Sequence, residues 1–166
     1  MDQTNLIKAI RNAIRQGDIN GVKAIIESYP ESLKAITAFG TWLHVAASMG
    51  QIDILKYLIQ SGLDPNTEAG TFNAGAINRA AREGHYNIVE YLISCGAKLD
   101  TSEPDRNPMF AAIYGGHKDV VQLLIDNGIN SAIRYTGEFM HNMDAYDFAV
   151  ERGQTEIAEM LKPYRK

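Results

Sequence analysis

A chain of 166 residues, 45% hydrophobic and 22% charged, has the make-up of an ordinary globular protein and enough length to bury a core. Its net charge of −4, with basic residues scattered singly, argues against a nucleic-acid binder, which concentrates positive charge on one face. Cys95 is the sole cysteine, which excludes an internal disulfide; no apolar run reaches the roughly 18 residues of a membrane span, and MDQTNLIKAIRNAIRQGD lacks the apolar core of a secretory signal, so a cytoplasmic monomer is expected.

From residue 5 onward the chain reads as a succession of helix pairs. In the first unit, residues 5–37, AIRNAIRQG closes a helix at Gly17 and INGVKAII opens another. The second unit, 38–71, starts its first helix at Thr41, runs through LHVAASMG to Gly50, and continues as IDILKYLI to Gly62. The third, 72–103, repeats this from Gly75 with INRAAREG, Gly84, YNIVEYLI and Gly96. The fourth, 104–139, starts at Asn107 with Pro108 behind it and reads MFAAIYGG, Gly116, KDVVQLLI and Gly128. The fifth, 140–166, starts at Asp144 and reads YDFAVERG, Gly153 and TEIAEMLK.

The glycines Gly17, Gly50, Gly84, Gly116 and Gly153 are 33, 34, 32 and 37 residues apart. Apolar residues at i, i+3, i+4 and i+7 make amphipathic helices. Thr41, Gly75, Asn107 and Asp144 are favoured N-caps, Pro108 suits the first helical position, and Gly62, Gly96 and Gly128 suit C-caps. No unit can bury its apolar face alone, so the units must stack into an all-α solenoid with no separate domain.

TWLHVAASMG, QIDILKYLIQSGLDPN, EGHYNIVEYLISCGAKLD and GGHKDVVQLLIDNGIN carry a close likeness to a known family: the chain resembles an ankyrin-repeat protein, with Trp42 in the proline slot of the family core. The resemblance covers essentially the whole chain. It implies an ankyrin-repeat solenoid of about five helix-turn-helix repeats with short β-hairpin fingers. The first unit lacks the core motif, and GAIN and DAYD replace it in the third and fifth. Polar outer faces at both ends lead to the expectation of a complete, capped array.

No catalytic, cofactor-binding or metal-binding constellation is expected. His44 braces the turn in its motif slot, and His85 and His117 recur after repeat glycines, which marks scaffold. His141 alone falls outside the motif. Asp144, Asp147 and Glu151 share one helix side, read as a solvated acidic face. The resemblance places binding residues at the turn tips and before each repeat glycine: Phe39, Gly40, Ser48, Met49, Thr71 and Phe72, then Arg82 and Glu83. Further along come Asp105, Arg106, Tyr114, Met140, His141, Glu151 and Arg152. Trp42 is the sharpest candidate, with packing under a neighbouring finger as the competing reading.

The long interval before Gly153 falls in SAIRYTGEFMHN, residues 131–142. Ile133, Tyr135 and Phe139 alternate there with Arg134, Thr136 and Glu138, which predicts a longer hairpin finger with the first set packed and Arg134 and Glu138 outward. Arg134, Tyr135 and Glu138 therefore join the binding candidates. The function expected is a non-enzymatic module that binds another folded protein. One form is an immunity protein neutralising a cognate bacterial toxin, as in the ankyrin-type immunity group. The alternatives are an intracellular adaptor, or a ligand-binding protein or enzyme with a site near His141; neither nucleic acid nor membrane is an expected partner.

Overall fold

The computed structural model describes residues 2–165. Among them ten α-helices form five consecutive pairs: α1 (Gln3–Gln16) with α2 (Ile19–Ser28), α3 (Trp42–Ser48) with α4 (Ile52–Gln60), and α5 (Ala76–Glu83) with α6 (Tyr86–Ser94). The last two pairs are α7 (Pro108–Gly115) with α8 (Lys118–Asp126), and α9 (Ala145–Glu151) with α10 (Thr155–Leu161). The first helices pack in one row, α1 against α3, then α5, α7 and α9, and the second helices cover it from outside. The fold is the all-α ankyrin-type solenoid expected.

Local chemistry sets the helix ends. The Asp18 carboxylate accepts from the Gly21 N–H at 2.9 Å, and the Asp144 carboxylate accepts from the Asp147 N–H at 2.9 Å. The Asn107 side-chain oxygen accepts from the Met109 N–H at 2.9 Å, with Pro108 at the first helical position as read from the sequence. Gly84 ends α5 at φ +75, a left-handed conformation that L side chains resist. The same glycine makes room for the next unit, because a Cβ there would strike the His117 ring.

Small residues let the inner row close up. Ala46, Ala47, Ala80, Ala81, Ala112 and Ala149 are all fully buried on the first helices. Ile54, Leu58, Ile88, Leu92 and Leu124 fill the space between the rows. One continuous core runs from Leu6 to Leu161.

The junctions between units form fingers. Thr37 bridges Gly40 and Ala69 bridges Ala74, both antiparallel; the third junction carries a short 3-10 turn, Pro104–Arg106; the fourth is a two-stranded hairpin, β1 (Tyr135–Gly137) with β2 (Met140–Met143). The expected longer finger is present. Its side-chain pattern is not the expected one. Tyr135 packs inward, with its ring edge-on to Phe110 at 5.1 Å, but Phe139 is 84% exposed. Gly137 pairs with Met140, so Glu138 and Phe139 form the two-residue turn at the tip, outside the strand alternation, and the register is irregular between Tyr135 and Gly137.

Arg134 departs from expectation too. It turns to the start of α9, placing Nη1 2.8 Å from Asp144 and Nη2 2.6 Å from Asp147. Arg165 closes on the same pair, at 2.6 Å from Asp147, and lies over the Tyr146 ring. The expected acidic face does start at the Asp144 N-cap, and Glu151 is exposed, but Asp144 and Asp147 are clasped by two arginines rather than solvated. Asp144 is nearly fully buried, and a buried carboxylate requires compensation of this kind.

Candidate functional site

A groove of about 660 Å³ opens between the fingers and the first helices of the last three units. Its floor is built from α5, α7 and α9, and its rim from the turns around residues 72, 105 and 138. Helical spacing aims Asn78, Arg79 and Arg82 of α5 at it, followed by Phe110 and Tyr114 of α7, then Phe148 of α9 and Arg152 just after its end.

The floor has an ordered centre. The Tyr114 ring lies between two guanidinium groups, with Arg82 at 4.6 Å and Arg152 at 4.3 Å from its centroid. Cation–π pairing of this kind contributes about 0.5–1 kcal/mol per contact at exposed sites. Beneath it, Phe110 stacks on Phe148 at 4.9 Å and meets Tyr135 edge-on. Among the described residues, no carboxylate lies within ion-pairing distance of Arg79, Arg82 or Arg152. Their charges remain available to something else.

The groove gathers Phe72, Arg82, Asp105, Tyr114, Glu138 and Met140 from the candidates read in the sequence, and Glu151 and Arg152 beside them. Other candidates lie elsewhere. Trp42 is a correction: it is fully buried, and its indole Nε1–H donates to the Ser32 carbonyl at 2.8 Å. The 3-10 segment Pro30–Lys34 supplies that acceptor at this helix start. Tyr135 is also buried; its hydroxyl donates to the Thr101 carbonyl at 2.7 Å and accepts from Asn107 at 3.0 Å, pinning the finger to α7. Burial is the main reason its pKa is raised.

Arg134 is committed to Asp144 and Asp147, and Arg106 to Glu68 and to Asp100, 2.8 Å away. Burial opposes ionisation of Asp100, yet the Ser102 donors and the Arg106 charge together hold its pKa below the usual value. Met49 is half-buried against the core, while Glu83 and His141 are exposed away from the groove lining. The His141 side chain makes no hydrogen bond or ion pair among the described residues.

Histidines at repeat positions are structural. His85 Nε2 reaches the Ser48 carbonyl at 3.1 Å and His117 Nε2 the Arg82 carbonyl at 3.0 Å, each tying its unit to the one before. His44 accepts at Nδ1 from the Thr41 N–H at 3.2 Å, so its Nε2–H donates to the Ala74 carbonyl at 2.8 Å. No group of three or more His, Cys, Asp or Glu residues suited to a metal occurs among the described residues.

Sequence reading missed Phe139 as an exposed group. The signal was present. The finger tips TAFG, GTFN, PDRN and GEFM start at residues 37, 70, 104 and 137, and a phenylalanine stands third in all but one. Phe39, Phe72 and Phe139 are 55%, 43% and 84% exposed, whereas Arg106 in the remaining tip folds back.

Stacked helix pairs joined by fingers, with a groove along the inner row, define a repeat protein built for binding. The chain belongs to the ankyrin-repeat family: a profile of ankyrin repeats (3 copies) matches residues 77–165, and one of ankyrin repeats (many copies) matches residues 43–93. It is 33% identical over 113 residues to protein phosphatase 1 regulatory subunit 27 of Homo sapiens, covering 66% of this chain and 71% of that protein. It is 27% identical over 132 residues to a putative ankyrin repeat protein of Rickettsia felis, covering 78% of this chain and 55% of that one. With the palmitoyltransferase AKR1 of Lachancea kluyveri it shares 35% identity over 95 residues, 55% of this chain and 13% of the transferase. The chain therefore spans about half or less of the length of the latter two relatives. Ankyrin repeats are in general non-enzymatic interaction modules, and this chain is a protein-binding module.

Proposed function

We propose that the chain acts without catalysis, by holding one folded protein partner in the groove over α5, α7 and α9, with the fingers as side walls. One observation carries this. Aromatic rings and arginines with no ionic partner, the residue types that dominate interface energetics, converge on the floor of the groove at positions the scaffold pattern does not specify.

A regulatory or adaptor role is favoured by the likeness to a protein named as a phosphatase regulatory subunit. Neutralising a cognate toxin would use the same groove, and neither the groove nor these relatives' names favour it. A site at His141 has less support, because the residue is exposed and its side chain has no hydrogen-bond or ion-pair partner among the described residues. A reducing, cytoplasmic setting belongs to the proposal, Cys95 being the sole thiol.

The test is affinity capture from the native host with wild-type and Tyr114→Ala proteins as baits, quantified by mass spectrometry. A partner held by the wild type and reduced at least tenfold by Tyr114→Ala, about 1.4 kcal/mol, supports the groove. Equal recovery of every partner on both baits would place the interface elsewhere.

A further inference from the structure

The charges in the groove are sorted by depth. Arg79 and Arg82 of α5 and Arg152, just after α9, lie along the floor, while Glu103, Asp105 and Glu138 lie on the turns of the rim. Glu151, at the end of α9, is an exposed carboxylate at the edge of the floor and is not ion-paired with these arginines. A uniformly basic strip would suit a nucleic-acid backbone, but an acidic rim repels one. A partner that satisfies both levels needs negative charge at its point of deepest entry and positive charge beside it.

Resting on the groove reading above, we infer that the occupant is a protruding loop of a folded protein, with a carboxylate at its apex and basic side chains on its shoulders. The apex carboxylate meets the guanidinium groups of Arg82 and Arg152, which Tyr114 holds 4.6 and 4.3 Å from its ring centroid. A guanidinium lying over a ring keeps N–H groups at its edge for a carboxylate, and charge-assisted bonds are the stronger kind. The ring fixes the two side chains in advance, which lowers the entropy lost on binding.

The rim explains why a loop fits. At its centre the third residue of the tip is Arg106, drawn back onto Asp100 and Glu68, instead of an exposed phenylalanine. The wall is therefore notched between Phe72 on one finger and Phe139 on the next but one, and both rings line the groove. They supply apolar contact to the loop's flanks, while Glu103, Asp105 and Glu138 meet its basic shoulders.

Loops of random sequence, displayed on a rigid scaffold, are to be selected against the full chain. Enriched loops are expected to carry Asp or Glu at the apex and Lys or Arg on the shoulders. They should bind Arg82→Ala and Arg152→Ala at least tenfold more weakly than wild type, with melting unchanged, and Arg152→Glu should shift selection toward a basic apex. Loops weakened by Tyr114→Ala but showing no acidic apex overturn this inference and leave the groove reading standing. Loops indifferent to all four substitutions overturn the groove reading itself. Displacement of the loops by single-stranded DNA at equal concentration would reassign the arginines to a polyanion and overturn the inference.

Discussion

Trp42 and His44 lie in one helical turn and show how far a single side chain can be specialised for scaffold. The indole is enclosed and donates to Ser32, so its emission should be blue-shifted and shielded from acrylamide; as the sole tryptophan it reports without interference. Red-shifted, readily quenched emission would contradict the burial. Trp42→Ala should cost about 3–5 kcal/mol, as large-to-small core changes do. His44 is held neutral: burial chiefly lowers its pKa from 6.5, with the Arg79 charge acting the same way and the Ala74 hydrogen bond opposing. The unfolded chain takes up this proton near 6.5, whereas the folded protein does so only at lower pH. Its contribution is thus fully present above that value and is lost as pH falls from there through the folded pKa. Melting temperature should fall over this range, and His44→Gln should flatten the profile. A wild-type profile flat from pH 7 to 5 would contradict this account.

At the scale of elements, close approach of the first helices decides stability. Ala46 and Ala80 are fully enclosed between neighbouring helices, so Ala46→Leu or Ala80→Leu should cost roughly 1–3 kcal/mol through overpacking. A melting curve matching wild type would contradict the packing. The fourth finger contributes stability as well as shape. Arg134→Ala should cost about 1–3 kcal/mol by removing charge-assisted bonds to Asp144 and Asp147, Arg165 remaining in place. Unchanged melting of that variant would show the clasp to be idle. Helix pairs, caps and the hairpin were legible in the sequence because periodicity, cap chemistry and glycine spacing are local. Much of the groove was legible too, through the positions of Arg82, Tyr114, Arg152 and Phe72. What escaped depended on contacts distant in sequence. The Ser32 carbonyl gives Trp42 a buried partner, the Asp144–Asp147 pair recruits Arg134, and the pairing of Gly137 with Met140 leaves Phe139 at the tip of the finger.

For the whole molecule, stability should vary along the stack. Each helix pair packs chiefly against its neighbours, so an interior pair gains from two interfaces and a terminal pair from one. Detaching an end therefore costs less than opening the middle, and amide exchange should be slowest in α5 and α7 and fastest in α1–α2 and α9–α10. The clasp of Arg134 and Arg165 partly offsets this at the second end, so Arg134→Ala should speed exchange in β1, β2 and α9–α10 and leave α3 through α6 unchanged. The groove lies unevenly across this gradient: Arg82 and Tyr114 stand on interior helices, whereas Arg152 follows α9 in the terminal pair. A ligand that engages all three must hold the terminal pair in place, and stabilisation by mass action falls on whatever opening it prevents. Binding of a selected loop should therefore slow exchange most in α9–α10, where the free protein opens easily, and least in α1–α2, which lie outside the groove. A single exchange free energy across all ten helices would show that the array unfolds as one unit, and protection confined to α1–α4 would move the interface away from this groove.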